Sequence, residues 1–191
     1  MISEQDRSGW FGASDTSYIM GNWSTKTFKK WWMQKLGIDT SFFRNVAMNA
    51  GTYYEHAILD VIGVPRKDHQ IIIPEYSLRV NLDGDGIGRL DEVKTFRKEK
   101  GFKVSKAYWQ QVQVQIFAKV REEGQVPVAN IWAYGLLPED YKNFFNPIDR
   151  GRLTNYPISE DKAFINQYLR RVSYLKICME KGVMPNEDFA V

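Results

Sequence analysis

Asp83-Gly84-Asp85-Gly86-Ile87-Gly88-Arg89-Leu90-Asp91-Glu92-Val93-Lys94 reads as a β-hairpin in which an acid precedes a glycine-rich turn and an acid-x-Lys triplet follows it. Side chains alternate along a strand, so Glu92 and Lys94 share one face while Val93 points into the core and Asp91 points away from Glu92. Two carboxylates and an ammonium are thereby brought to one patch. Oxygen ligands of this kind suit a hard divalent cation such as Mg²⁺, and a nearby lysine can hold or deprotonate the water that attacks a phosphodiester. The pattern implies metal-dependent hydrolysis of nucleic acid. Asp83 and Asp85 compete for the first acidic position. Asp83 is favoured because it can end its strand, leaving Gly84-Asp85-Gly86 as a turn in which Asp is a common structural residue.

Outward from the hairpin, 70–73 and 76–82 read as strands broken by Pro74, and 87–96 as the strand bearing the triplet. Upstream lie a short helix starting at Ser14-Asp15, an amphipathic helix over 24–36 with Phe28, Trp31 and Trp32 inward and Gly37 closing it, and a third helix over 45–61. Downstream, 105–121 returns to helical spacing, 126–137 reads as one long strand, and 159–181 as a closing helix with Ile165, Leu169, Val172, Leu175 and Cys178 on its apolar face. The order is α, then β, then α-β-α. The stretch 138–157 reads as a long connection.

The 191 residues suit a single domain, 1–191, with a sizeable core. No apolar run approaches the roughly 18 residues of a membrane span. The first residues carry neither a basic nor an apolar signal region, so the expectation is a cytoplasmic protein. Cys178 stands alone, which excludes an internal disulfide, and with His56 and His69 as the only histidines a His-rich metal cluster is not expected. The net charge of +3 is mild, yet Lys26, Lys29, Lys30 and Lys35 fall in one helix, and Lys94, Arg97, Lys98, Lys100, Lys103 and Lys106 run downstream of the triplet. Solvated faces explain single lysines, whereas a basic run beside a candidate metal site also suits phosphate neutralisation.

Elsewhere, Glu55 sits mid-helix after Asn49-Ala50-Gly51. Gln111, Gln113 and Gln115 form an amide-rich helix, and an uncharged amide near a metal can orient water or phosphate without competing for the cation. Arg7 precedes Gly12-Ala13-Ser14-Asp15, where Ser14 or Asp15 caps a helix and a hydroxyl with a nearby Arg also makes a phosphate site. Trp10 and Trp109 suit core packing better than stacking on an end base.

Taken in order, Arg7 with Gly12-Ala13-Ser14-Asp15, Met48-Asn49-Ala50-Gly51-Thr52-Tyr53-Tyr54-Glu55, Leu82-Asp83-Gly84, Glu92-Val93-Lys94 and Tyr108-Trp109-Gln110-Gln111-Val112-Gln113 resemble the lambda-exonuclease (YqaJ-type viral recombinase) branch of the PD-(D/E)XK nuclease superfamily. The resemblance implies an α/β (α+β) restriction-endonuclease-like core with a central mixed β-sheet flanked by helices. It implies a deoxyribonuclease using Mg²⁺, with Mn²⁺ as a substitute, that degrades double-stranded DNA from a 5′ end in phage-type recombination and leaves a 3′ single strand. A single-strand annealing protein is the implied partner, and homo-oligomers occur in the family. Residue by residue, Asp83 and Glu92 match the metal-binding acids, the Val93 carbonyl is a further ligand, Lys94 matches the catalytic lysine, Glu55 the helical acid and Gln111 the helix glutamine. Arg7 and Ser14 resemble the pocket for the 5′-terminal phosphate. Leu82 stands where the family often has Pro, and the loop to Glu92 is short. An endonuclease of the same superfamily is the nearest rival, and a noncatalytic DNA-binding or assembly module a more distant one.

Overall fold

The strands flanking Pro74 and the glycine-rich turn pair into one mixed sheet. The structure, a computed structural model, describes residues 8–39 and 46–190. Its sheet runs β1 (Arg66–Ile73), β2 (Leu78–Gly86), β3 (Arg89–Arg97), β4 (Val128–Leu136) and β5 (Leu153–Ile158) in that spatial order. Among these five strands only β3 and β4 pair in parallel. A parallel pair needs a crossover, and α4 (Lys106–Glu123) supplies it.

Two apolar clusters lie on the sheet's two faces. On one, Val112, Val114 and Ile116 of α4 and Val172 and Leu175 of α5 (Lys162–Glu180) pack with Ile71, Val80, Leu82 and Leu90 of the sheet. Trp23 and α2 (Lys26–Lys35), through Phe28, Trp31 and Trp32, extend this core beside the short α1 (Thr16–Ile19). Each of these large side chains contributes about 1.5–3 kcal/mol by leaving water. On the other face, Tyr54, Ile58 and Leu59 of α3 (Val46–Val61) meet Val93, Tyr134 and Leu136. The triplet thus alternates as expected, with Val93 in the α3-side core. Thr25, Ser105 and Asp161 cap α2, α4 and α5 by accepting the N–H groups of Phe28, Tyr108 and Phe164. Among the described residues no helix is long and apolar enough to cross a membrane.

The sheet departs from the sequence reading in three places. β1 starts at Arg66 rather than at 70, because Arg66, Lys67 and Asp68 pair through ions rather than through an apolar alternation. β2 runs through Asp83-Gly84-Asp85-Gly86, and the turn is Ile87-Gly88. The glycine at 84 answers to packing instead of turning, since a Cβ there would come within 2.6 Å of Leu59 Cδ2. β5 lies in the stretch read as a connection. Its Pro157 is tolerated because the strand is at the sheet's edge.

Candidate active site

β2 and β3 pair only through Gly84↔Asp91, Asp85↔Leu90 and Gly86↔Arg89. Beyond that point β2 keeps β1 on one edge, and Phe11 takes the other near Leu78. The Phe11 N–H donates to Ser77 O at 2.8 Å and the Arg79 N–H donates to Phe11 O at 2.9 Å. The interval between Phe11 and β3 is a split in the sheet, and backbone groups along it need other partners. Val93 N–H finds Asp83 Oδ2 at 2.8 Å, and Asn81 O accepts from Gln115 Nε2 at 3.1 Å.

A change of phase aims Asp83 into this split. Arg66 and His69, three residues apart on β1, both reach Glu122 of α4, at 3.6 and 3.2 Å. The consecutive residues Lys67 and Asp68 both reach α3, at Asp60 and His56. Strict alternation permits neither, so β1 carries an irregularity at Asp68, whose φ is +53°. Asp83 stands opposite it, between the pairs Lys67↔Gly84 and His69↔Leu82. β2 slips there too, because Leu82 belongs to the α4-side core, Gly84 abuts Leu59 of α3, and Asp85 again reaches α4.

Groups from both faces of the sheet therefore meet at the split. Glu92 Oε1 accepts from Lys94 Nζ and, at 2.5 Å, from Gln111 Nε2, while Oε2 accepts from Gln115 Nε2 at 2.6 Å. Lys94 Nζ also donates to Gln111 Oε1 at 3.4 Å and lies 5.0 Å from the centre of the Tyr108 ring. Glu55 enters from α3. Burial pushes its pKa up to about 7, with Glu92 and Asp68 adding to the rise and Lys94 opposing it. Burial also holds Asp83 well above the usual carboxyl range, reinforced by Glu92 and Glu55 and opposed by Lys94 and the Val93 N–H. For Lys94 burial disfavours the ammonium, but Glu92 and Asp83 outweigh it and raise the pKa above its ordinary value. Its acidic neighbours thus favour the ammonium form of Lys94 while no ion offsets them. Asp83, Glu92 and the more distant Glu55 outnumber the one ammonium, and hard-oxygen donors short of positive charge suit a divalent cation.

Asp85 is already satisfied. It is fully buried, and Arg66 Nε, Lys119 Nζ and His69 Nδ1 stand 2.8, 2.8 and 3.2 Å from its oxygens. Burial alone would raise its pKa, but the hydrogen bonds from Arg66 and Lys119 carry it below the ordinary value. Asp91 is likewise spent, on Arg89 and on Trp132 Nε1 at 2.7 Å.

A cleft of about 130 Å³ opens beside the split, lined by Trp10–Asp15, Lys35, Arg79, Asn81, Asp83 and Gln111. Ser14 is exposed on its wall and caps nothing. Asp15 closes the turn instead, accepting Gly12 N–H at 2.7 Å and Trp31 Nε1 at 2.9 Å, with Lys35 Nζ at 2.5 Å. Lys35 is buried and donates to Trp10 O at 2.9 Å, so it leaves the solvated lysine face expected for its helix. Arg7 lies outside the described residues. Trp109 packs on Phe164 of α5, with centroids 4.9 Å apart. Arg97, Lys98, Lys100, Lys103 and Lys106 are all exposed at the end of β3 and the start of α4.

The sequence reading missed Arg79 and Asn81 as cleft residues, Gln115 as a partner of Glu92, and Asp68 as a neighbour of Glu55. Helical spacing could have found Gln115, because 111, 115 and 119 lie on one face of α4. Gln113 faces elsewhere and binds Ser159 O and Asp161 N–H, at 2.8 and 2.7 Å, where α5 begins.

No protein-family model and no curated protein matches the chain. Among solved structures, LHK-Exo in complex with dAMP is similar, with a TM-score of 0.69 and 21% identity over 92% of this chain and 90% of that one. So is an alkaline exonuclease (LHK-Exo) from Laribacter hongkongensis, at 0.67 and 20% over the same shares. A phage related exonuclease from Haemophilus somnus 129PT gives 0.62 and 16% over 90% of this chain and 94% of that one. The chain has the fold of alkaline and phage-related exonucleases, the fold implied by its resemblance to the lambda-exonuclease branch of the PD-(D/E)XK nucleases.

Proposed function

We propose that this protein is a divalent-metal-dependent deoxyribonuclease that degrades double-stranded DNA from a 5′ end and leaves a 3′ single strand. The observation that carries the proposal is the meeting of Glu55, Asp83, Glu92, Lys94 and Gln111 at the split, with Asp83 and Gln111 also lining a cleft that holds Ser14 and Arg79. Asp83, Glu92 and Glu55 are the residues to hold Mg²⁺, with Mn²⁺ as a substitute. The Val93 carbonyl joins them because a strand residue directs its N–H and C=O to the same side, and the Val93 N–H faces Asp83. Such an ion supplies polarisation of a phosphoryl oxygen and a more acidic water.

The chain's own groups do the rest. Lys94, kept protonated by its acidic neighbours, orients the attacking water and offsets charge on the phosphate. Gln111 shares its amide between Glu92 and Lys94 and holds both in register. Ser14 and Arg79, with Arg7, take the 5′-terminal phosphate, so each cut creates a new end of the kind the cleft receives. The exposed cations from Arg97 to Lys106 are placed to neutralise duplex phosphates, and the 3′ strand produced is a substrate for a single-strand annealing partner.

The test uses linear duplex DNA with 5′-phosphates beside the same DNA as a closed circle, with Mg²⁺, and Lys94→Ala as control. Loss of the linear form alone, abolished in K94A, is the expected result. Cutting of the circle would replace the end-directed proposal with an endonuclease. No Mg²⁺-dependent product from either would leave a noncatalytic DNA-binding module.

A further inference from the structure

Gln115 is fully buried on α4, one turn beyond Gln111, and its amide is used unevenly. Both hydrogens of Nε2 are committed, one to Asn81 O on β2 at 3.1 Å and one to Glu92 Oε2 on β3 at 2.6 Å. Its Oε1 is buried and finds no hydrogen-bond partner among the described residues. An orphaned buried carbonyl is costly, and an apolar side chain of the same shape would avoid it. The amide is therefore retained for its two donors, and these span the place where β2 and β3 have parted. Lys119, one turn further on, lies where the strands are still paired and reaches β2 alone of the two, at Asp85 and at Gly86 O, the latter 3.2 Å away.

We propose that Gln115 is a positioning residue, a strap across the split that fixes Glu92 and the Asp83-bearing strand at the spacing a divalent cation requires. The inference rests on the metal-dependent function above and deepens it. With Gln111 and Lys94 on Oε1, Gln115 is the one donor to Oε2 among the described residues. Groups that orient a ligand carboxylate in this way act on affinity for the ion more than on the fold.

The experiment compares wild type, Gln115→Met and, in case Met overfills the site, Gln115→Leu, with Gln113→Met as the control. Gln113 is an equally buried glutamine on the same helix, bound to the start of α5 and away from the split. Mn²⁺ affinity is read by calorimetry, metal-free stability by thermal melting, and Mg²⁺ half-saturation by duplex degradation. Q115M is expected to weaken Mn²⁺ binding and raise Mg²⁺ half-saturation roughly 10–100-fold while its metal-free melting temperature falls no further than that of Q113M, because removal of the orphaned Oε1 offsets the freeing of Asn81 O and Glu92 Oε2. Q113M is expected to melt lower and bind Mn²⁺ as wild type does. Unchanged Mn²⁺ affinity in both Gln115 variants, or weakening that follows a matching loss of stability in Q113M as well, overturns the strap and leaves the nuclease proposal standing. A wild type that binds no Mn²⁺ overturns the metal-dependent function itself, and the strap with it.

Discussion

Asp83 Oδ2 accepts the Val93 N–H at 2.8 Å, so one acid of the site also serves as the backbone partner of the strand that carries the other. The two duties separate on substitution. Asp83→Asn keeps an oxygen for Val93 and removes one of the repelling charges, so its metal-free form is expected to melt at or above wild type. Asp83→Ala orphans the N–H and is expected to lose about 1–3 kcal/mol. Both should abolish metal-dependent cleavage. Chemical denaturation decides, and an Asn variant less stable than the Ala variant would contradict this account.

The raised pKa of Glu55, about 7 against an ordinary 4.5, sets the direction of a pH dependence. Between those values the folded state binds a proton that the unfolded chain has released, so this contribution to stability falls as pH rises through the window. Asp83 is raised as well and acts with the same sign. Metal-free protein is expected to melt progressively lower from about pH 5 to about pH 8, with Glu55→Gln flattening the curve. Added Mn²⁺ should raise the melting temperature more at the alkaline end, where the carboxyl groups are ionised.

Asp85 should behave in the opposite way. Asp85→Asn takes one buried carboxylate from Lys119, which keeps Glu123, and from Arg66, and a loss of about 1–3 kcal/mol is expected. Because its pKa is lowered in the fold, its stabilisation is present above the ordinary carboxyl range and is lost as pH falls through the lowered value. Calorimetry should find divalent-ion affinity in D85N close to wild type, in contrast to D83N.

Ser14→Ala and Arg79→Ala are expected to reduce the preference for 5′-phosphorylated over 5′-hydroxyl duplex ends. A hydrogen bond to a charged group is worth about 1.5–3 kcal/mol, so each change should cost roughly tenfold or more on phosphorylated ends only. Rates on the two substrates, taken side by side, provide the check. An equal fall on both would remove these residues from the phosphate pocket.

The helices and the triplet strand were legible because α2, α3, α4 and α5 carry apolar periodicity and end at recognisable residues such as Gly37. Local alternation brought Glu92 and Lys94 together, and Asp91 faced away as expected. Asp83 lines the cleft while Asp85 is held in ion pairs, and the turn used to separate the two lies further along, at Ile87-Gly88. The cations Arg66 and Lys119 and the ring of His69 decide what Asp85 does, and no local window around residue 85 contains any of them. The phase slip at Asp68 and Asp83 is equally non-local, since it shows only when each strand residue is assigned to α3 or α4. β5 escaped notice because an edge strand buries little and tolerates Pro157.

Asn81 and Asp83 lie two residues apart on β2, and both line the cleft. Two residues of strand span roughly 6.6 Å, a reach comparable to one nucleotide of a DNA strand. On the proposed function the strand is in effect a ruler, with its metal end at Asp83 and its Asn81 end toward the phosphate pocket. Its graduation is held by β1 on one edge and by Phe11 on the other. On that proposal the length of each bite is a property of backbone geometry, which side-chain substitutions in the cleft can weaken but cannot lengthen.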